Sequence, residues 1–589
     1  MAEEHTMSNE EWEEVSQDIP SLSDPHLQQY LTGRANLISQ EKKSRSDASF
    51  RASLSPIAQR ACDIVDRIRD QENDKVWTPQ VEEELAQARN ERIFPGMMFM
   101  LAKDRMEKTN LWKIVRRMPK GALLHAHMDA MVNFDFLFDQ LLSLPGIHIS
   151  SDQPLNTDQS REDATPSFRY RKQTDADTSI WDENYKPGTF ALLTKSADEF
   201  PNGGRTGFIK WLKGRCTLSV TDSHEQHHGI DAIWEKFVKC FMVCATIIHY
   251  EPMYRAFLRK LMKTLKDDGV NWAELRITWP LNYCRDQQEE PEKDYIHMFE
   301  VLQEEINNFK KSPEGKGFWG LTTIWTSLRS WPTRMIIENM DCCIATKIEF
   351  PELIAGYDLV GPEDLGRPLS DVLPELFWFR KQCAMEGVNL PFFFHAGETL
   401  GDGTDTDSNV FDAILLGTRR IGHGFSLFKH PLLIDMVKEK RILIESCPIS
   451  NEVLRLTGSV TAHPLPALLA RGVACSLCND DPAMLGQDTA GMSHDFFQAV
   501  QGWKNLGLAG LGSLAENSVR WAAFENQNQT EWMEGIKQAS LGGTLKAKRM
   551  QEWQIEWEKF CLWIVEEFGD EFGDEAKEGA EEKAKVTDA

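Results

Sequence analysis

Positive charge is scarce in this 589-residue chain: 65 lysines and arginines face 91 aspartates and glutamates, leaving a net charge of −26. Binding to nucleic acid or to an anionic membrane surface draws on clustered cations, so this balance predicts neither partner. A long apolar run is also missing, and without about 20 consecutive apolar residues no helix spans a bilayer. A basic leader followed by an apolar stretch is absent behind Met1-Ala2-Glu3-Glu4-His5, which predicts a cytoplasmic protein, with unconventional secretion as the alternative. The twelve cysteines are scattered, and Cys240, Cys244, Cys343 and Cys561 sit among apolar neighbours. That pattern suits free thiols in a reducing compartment rather than a disulfide framework. The sequon Asn528-Gln529-Thr530 then reads as a chance match, and no internal repeat is visible.

Length allows one large domain with additions. Residues 1–25 are polar and acidic and are expected to be disordered. Residues 26–118 read as a helical region, with Ile64, Ile68 and Leu85 at helical spacing and a break at Phe94-Pro95-Gly96. A long insertion rich in Ser, Thr, Asp, Gly and Pro is expected over about 150–229. Candidate strands lie before His125 and at Ala273–Ile277, Leu321–Thr326, Leu353–Asp358, Pro391–His395, Arg420–His423, Ile442–Ser446 and Ala474–Cys478. Helical stretches such as Leu373–Met385 and Phe411–Gly417 separate most of them. Eight strands alternating with helices predict an α/β fold, a (β/α)8 TIM barrel, over 119–565, with the insertion after its first strand. Residues 566–589 read as an acidic tail.

The chemistry-bearing groups gather where these strands end. His125 and His127 are two apart, so an extended strand turns both to one face. His395 closes the apolar run Pro391-Phe392-Phe393-Phe394, and Gly397 and Glu398 follow. His423 lies between Gly422 and Gly424, and Asp480 and Asp481 are adjacent. Three histidines and an aspartate form a ligand set for a catalytic rather than a structural zinc, which leaves a position open for water. Glu398 in a dry mouth is a candidate proton donor. Of the two aspartates, one can bind metal while the other binds water or substrate.

These segments resemble the adenosine deaminase family, in particular its adenosine deaminase-related growth factor branch. The resemblance rests on Met118–His127, on Gly356-Tyr357-Asp358-Leu359-Val360-Gly361-Pro362-Glu363-Asp364, and on Phe393–Thr399. It continues through Arg420–Phe425, Ser446–Asn451 and Asp480–Met484, and covers most of residues 90–525. It implies one zinc per subunit, bound by His125, His127, His395 and Asp480. It implies Glu398 as proton donor to the purine N1, with His423 and Asp481 orienting the attacking water. It implies contacts to the substrate from the Gly361 backbone, from Asp481 and from Asp129. The implied reaction converts adenosine, and 2'-deoxyadenosine, to inosine-type product and ammonia. The N-terminal helices are implied to pair two subunits. Members of this branch carry a signal and an insertion held by a disulfide; here the insertion holds Cys216 alone.

Other motifs fail on context. His224-Glu225-Gln226-His227-His228 matches a zinc-protease pattern, but Gly229 follows at once. Asp405-Thr406-Asp407-Ser408-Asn409 imitates a calcium loop, yet Val410 and Leu416 occupy its glycine and glutamate positions. Cys475 and Cys478 have no second pair. The fourth strand has no lysine, which favours one metal over two. The remaining alternatives are a deaminase of adenine or AMP, and a receptor-binding protein that keeps the fold without the chemistry.

Overall fold

The computed structural model describes residues 7–80, 83–84, 98–175, 178–224, 229–280 and 282–573. Eight parallel strands form its centre: Gly121–His127, Val270–Ile277, Gly320–Leu328, Ile354–Val360, His395–Ala396, Arg420–His423, Leu443–Ser446 and Cys475–Leu477. The first four pair in sequence order as one sheet, and the last four as another. Parallel bridges join the two sheets at both seams, Ala126 to Asp480 and Tyr357 to Phe392. A ring of eight results, with strand order equal to chain order, as the alternation of strands and helices predicts.

The barrel interior is charged as well as apolar. Arg276 ion-pairs with Asp358 and Glu445, and Arg420 pairs with Glu445 and Glu274; all five side chains are fully buried. Two arginines against three carboxylates leave this belt one negative charge in excess, directly beneath the strand ends.

The helical region before the first strand packs on the C-terminal helices. Ser55 caps Pro56–Lys75, whose buried face carries Ala61, Ile64, Val65 and Ile68. It lies against Leu545–Phe572, and nearby Phe50 meets the Trp557 ring edge-on at 5.6 Å. Leu85 and the Phe94-Pro95-Gly96 break lie outside the described residues.

Three expectations need correction. Residues Asn9–Asp18, expected to be disordered, form a helix with no buried residue, closed by a reciprocal capping box between Ser8 and Glu11. The insertion is not irregular. Ile147–Ser150, Ser167–Tyr170 and Ala191–Leu192 make a three-stranded sheet, and helices such as Gly204–Cys216 follow. Trp181, Phe200, Phe208 and Trp211 pack ring on ring beside it. The acidic tail begins later than Glu566, because the last helix continues to Phe572 with Phe568 and Phe572 buried. Among the described residues, no helix is long and apolar enough to cross a membrane.

Candidate metal centre and catalytic site

Parallel strands carry their C-terminal ends to one face of the ring, and every site residue expected from the sequence lies at that face. His125 and His127 end the first strand, His395 opens the short fifth, and His423 ends the sixth. Asp480 lies just past the eighth strand, where its backbone bridges Ala126. Donor atoms of His125, His127, His395 and Asp480 lie within 4.8 Å of one another. The barrel seam thus joins residues more than 350 positions apart in sequence.

Each ligand is aimed by a neighbour. Glu445 Oε2 lies 2.8 Å from His125 Nδ1, and Asp358 Oδ2 lies 2.6 Å from His395 Nδ1. A carboxylate on one ring nitrogen leaves the other, Nε2, free for a cation. Ser450 donates to Asp480 Oδ2 at 2.7 Å. The other oxygen, Oδ1, lies 3.3 Å from the Nε2 atoms of both His125 and His127. His125 Nε2 and Asp480 Oδ1 are buried without hydrogen-bond partners. Orphaned lone pairs facing one another are costly unless a cation fills the gap, so the donor set fits a metal ion. An overlapping set takes in His423 and Cys447. Burial raises the Cys447 thiol well above its ordinary range, which disfavours the thiolate a metal requires.

The electrostatics divide the carboxyls. Burial works against every charge here, yet His423 and the close imidazoles of His125 and His127 hold Asp480 well below the ordinary carboxylate range. Arg276 and Arg420 likewise depress Glu445, and His395 and Arg276 depress Asp358. Glu398 goes the other way: burial, then the charges of Asp480 and Glu363, raise it well above its usual value. Burial and the adjacent Asp480 raise Asp481. Burial alone lifts Asp129, on the turn Met128–Ala130, to about 7. His423 is pushed well below its usual value, first by burial, so its ring is neutral. Its Nδ1 lies 3.3 Å from Glu398 Oε1.

Backbone strain collects at the same place. His423 and Asp480 take left-handed conformations, φ 59° and 56°, each costing of order 1–3 kcal/mol for a non-glycine residue. Gly361, one residue past the fourth strand, has φ 101°, a conformation that favours glycine.

Several groups in this site carry no signal in isolation and were not singled out in the sequence. Asp358, Glu445 and Arg276 sit within apolar strands. Glu363 accepts the backbone N–H groups of Gly397 and Glu398 at 3.1 and 2.9 Å, and so fixes the Glu398 loop. A period-2 reading of Ile354–Val360 and Leu443–Ser446 shows where the two carboxylates point, and their spacing from the motif residues was the available clue. Glu225–His228 of the protease-like segment lie outside the described residues.

Gly422 makes a sharp test of this packing. A Cβ there would lie 2.6 Å from His125 Cε1, and the ring is locked from behind by Glu445. Gly422→Ala should lower metal affinity about 10-fold or more, in the range found when a ligand's support is disturbed. Metal content after dialysis against graded chelator reads it; wild-type retention would contradict the packing.

The adenosine deaminase family profile matches residues 218–539. The chain is 33% identical to adenosine deaminase 2 of Sus scrofa over 486 residues, 81% of this chain and 86% of that protein. It is 32% identical to adenosine deaminase 2-A of Danio rerio over 448 residues, 75% and 83% of the two chains. With adenosine deaminase 2 of Homo sapiens it shares 32% over 470 residues, 78% and 85%. A match over 81% of the chain cannot fit after His125, so the Sus scrofa likeness reaches the first strand's histidines as well as the profiled region. Fold, strand-end site and likeness coincide, and the chain belongs to the adenosine deaminase family, in its adenosine deaminase-related growth factor branch.

Proposed function

We propose that this chain hydrolyses the exocyclic amine of adenosine, giving inosine and ammonia, with one zinc held by His125, His127, His395 and Asp480. The observation that carries the reading is the coexistence, at one strand-end mouth, of a clustered three-histidine, one-aspartate donor set and a buried carboxyl, Glu398, beside His423. A bound zinc polarises water and brings its pKa toward about 7. The chain's own residues do the rest. Glu398, whose acid form burial favours, donates to the purine N1 and makes the neighbouring carbon more electrophilic. His423, neutral, accepts a proton from the attacking water. Asp481, buried beside Asp480, offers a hydrogen bond to water or to the purine. Gly361 presents backbone to the ring, and Asp129 reaches toward the sugar.

The test is conversion of adenosine, 2'-deoxyadenosine, adenine and AMP by purified protein, with metal analysis. The nucleosides should be turned over, and chelator should stop the reaction until zinc is restored. Absence of zinc together with no deamination of any of the four defeats the reading.

Two further parts of the reading concern assembly and location. Helices Asn9–Asp18 and Pro25–Ser44 bury no residue yet expose Trp12, Tyr30 and Leu37. Helices draw most of their stability from packing an apolar face, which supports pairing with a second copy. Tyr30→Glu with Leu37→Glu should then turn a dimer into a monomer by sedimentation; an unchanged sedimentation coefficient contradicts the pairing. All twelve cysteines are free and eleven are buried, in keeping with a reducing, cytoplasmic setting, and fractionation of the producing cells decides between this and export.

A further inference from the structure

One cavity lies away from the barrel mouth, where the insertion meets the barrel wall. It encloses about 130 Å³, several times the roughly 10–15 Å³ one water needs. Strand Ser167–Tyr170 forms one side, and the segment Ala245–His249 with Tyr250 and Met253 forms the other. The parallel rings of Tyr170 and Tyr250, 4.8 Å apart, make one wall. Among the described residues, no aspartate or glutamate lines it.

The insertion places Arg169 in this mostly apolar space. Its Nε is buried without a hydrogen-bond partner, and no carboxylate pairs with it among the described residues. His249 is the other basic group in the lining; burial and then the charge of Arg169 bring it down to about 4, so it is neutral at pH 7. The cavity therefore holds a single fixed positive charge. In a chain of net charge −26, the buried Arg276 and Arg420 are met by carboxylates and the buried Arg419 by the Gln527 carbonyl, whereas the half-buried Arg169 has, among the described residues, no carboxylate across the cavity. A guanidinium fork recognises a carboxylate in bidentate fashion, and the aromatic walls suit an apolar body.

We propose that this cavity binds a small monoanionic ligand, a carboxylate on an aromatic or aliphatic body, and that its occupancy is felt at the barrel mouth. The wall segment Ala245–His249 continues directly from helix Gly229–Cys244. Phe241 on that helix sets its ring against His127, with centroids 5.8 Å apart. The same helix packs on Met128–Ala130, which carries Asp129. A ligand that fixes Thr246–Tyr250 thus bears on one candidate metal ligand and on one candidate substrate contact. The insertion becomes a regulatory element rather than a spacer.

The test uses the full chain and phenylacetate as probe. Benzylamine serves as its cationic counterpart, and inorganic phosphate as an anion without an apolar body. Calorimetric titration should show phenylacetate binding at least about tenfold more tightly than either. Arg169→Met should weaken it about tenfold or more with an unchanged thermal midpoint, and Thr246→Trp, which fills the cavity, should do the same. Equal binding by wild type and both variants overturns the site, as does equal binding of benzylamine. Saturating phenylacetate should shift the KM for adenosine about fivefold or more, in the range of ordinary allosteric coupling, and Arg169→Met should remove the shift. Binding with kcat and KM unchanged, or a KM shift that survives Arg169→Met, overturns the link to the mouth. The binding measurement stands independently of the proposed reaction.

Discussion

Glu398→Gln should lower kcat for adenosine by about 10²–10⁴-fold, the usual contribution of a positioned general acid, while leaving metal content intact. The substitution keeps shape and hydrogen-bonding capacity and removes only the transferable proton. Glu398 is outside the ligand set, and its loop is held by Glu363 through the backbone of Gly397 and Glu398, which the change leaves untouched. Its raised pKa comes from burial and from the Asp480 and Glu363 charges, which favours the acid form that donation requires. For an acid form that must donate, activity should decline as pH rises through that elevated value, and the residual activity of Glu398→Gln should lack this limb. Measured kcat within tenfold of wild type, with full metal content, would show that another group donates the proton.

The sequence makes the ligands legible because they break a pattern. A histidine or aspartate at the end of an apolar strand has no packing reason to be there, and His125, His127, His395 and Asp480 each stand out in this way. The barrel is legible for a related reason: eight short apolar runs between helices leave few topologies. What supports the ligands is harder to read. Glu445 and Asp358 look like ordinary polar residues in short strands until closure of the ring brings Arg276 and Arg420 across to them. Those contacts join strands 82 and 169 residues apart for Arg276 alone, and no local spacing encodes them.

The insertion and the N-terminus fail for different reasons. Apart from helix Gly204–Cys216, the insertion's elements are too short for periodicity to register, and its Trp181, Phe200, Phe208 and Trp211 cluster is spread through Ser-, Asp- and Gly-rich sequence. Composition there mimics a loop while the aromatics build a local core. At the N-terminus the acidic composition outweighed a plain local signal. Ser8-Asn9-Glu10-Glu11 is a capping-box sequence, and the helix it starts is present although nothing buries it.

Glu445→Gln should be the most destabilising single change at the site, for it removes the one group shared by the ligand set and the barrel's ionic belt. Glu445 faces His125 Nδ1 at 2.8 Å, Arg276 Nη2 at 2.7 Å and Arg420 Nε at 2.5 Å, all fully buried. Asp358 remains for Arg276 and Glu274 for Arg420, but two arginines then meet only two carboxylates and the excess negative charge beneath the metal site is gone. Exchanging this charged acceptor for a neutral amide weakens charge-assisted hydrogen bonds, whose loss costs about 1.5–3 kcal/mol each, a large share of a typical folding free energy of roughly 5–15 kcal/mol. Loss of the carboxylate behind His125 should also lower metal affinity about 10–100-fold. The two effects separate experimentally: unfolding in excess chelator reports the belt alone, and metal titration of folded protein reports the ligand. The sign with pH follows from the depressed pKa of Glu445. Its stabilising contribution is complete above the ordinary glutamate value near 4.3 and fades as pH falls toward the folded-state value. The wild-type advantage over Glu445→Gln should therefore be flat from about pH 5 upward and narrow in acid. A wild-type midpoint for the variant in chelator at neutral pH would mean that Asp358 and Glu274 suffice to neutralise the arginines, and that Glu445 serves His125 alone.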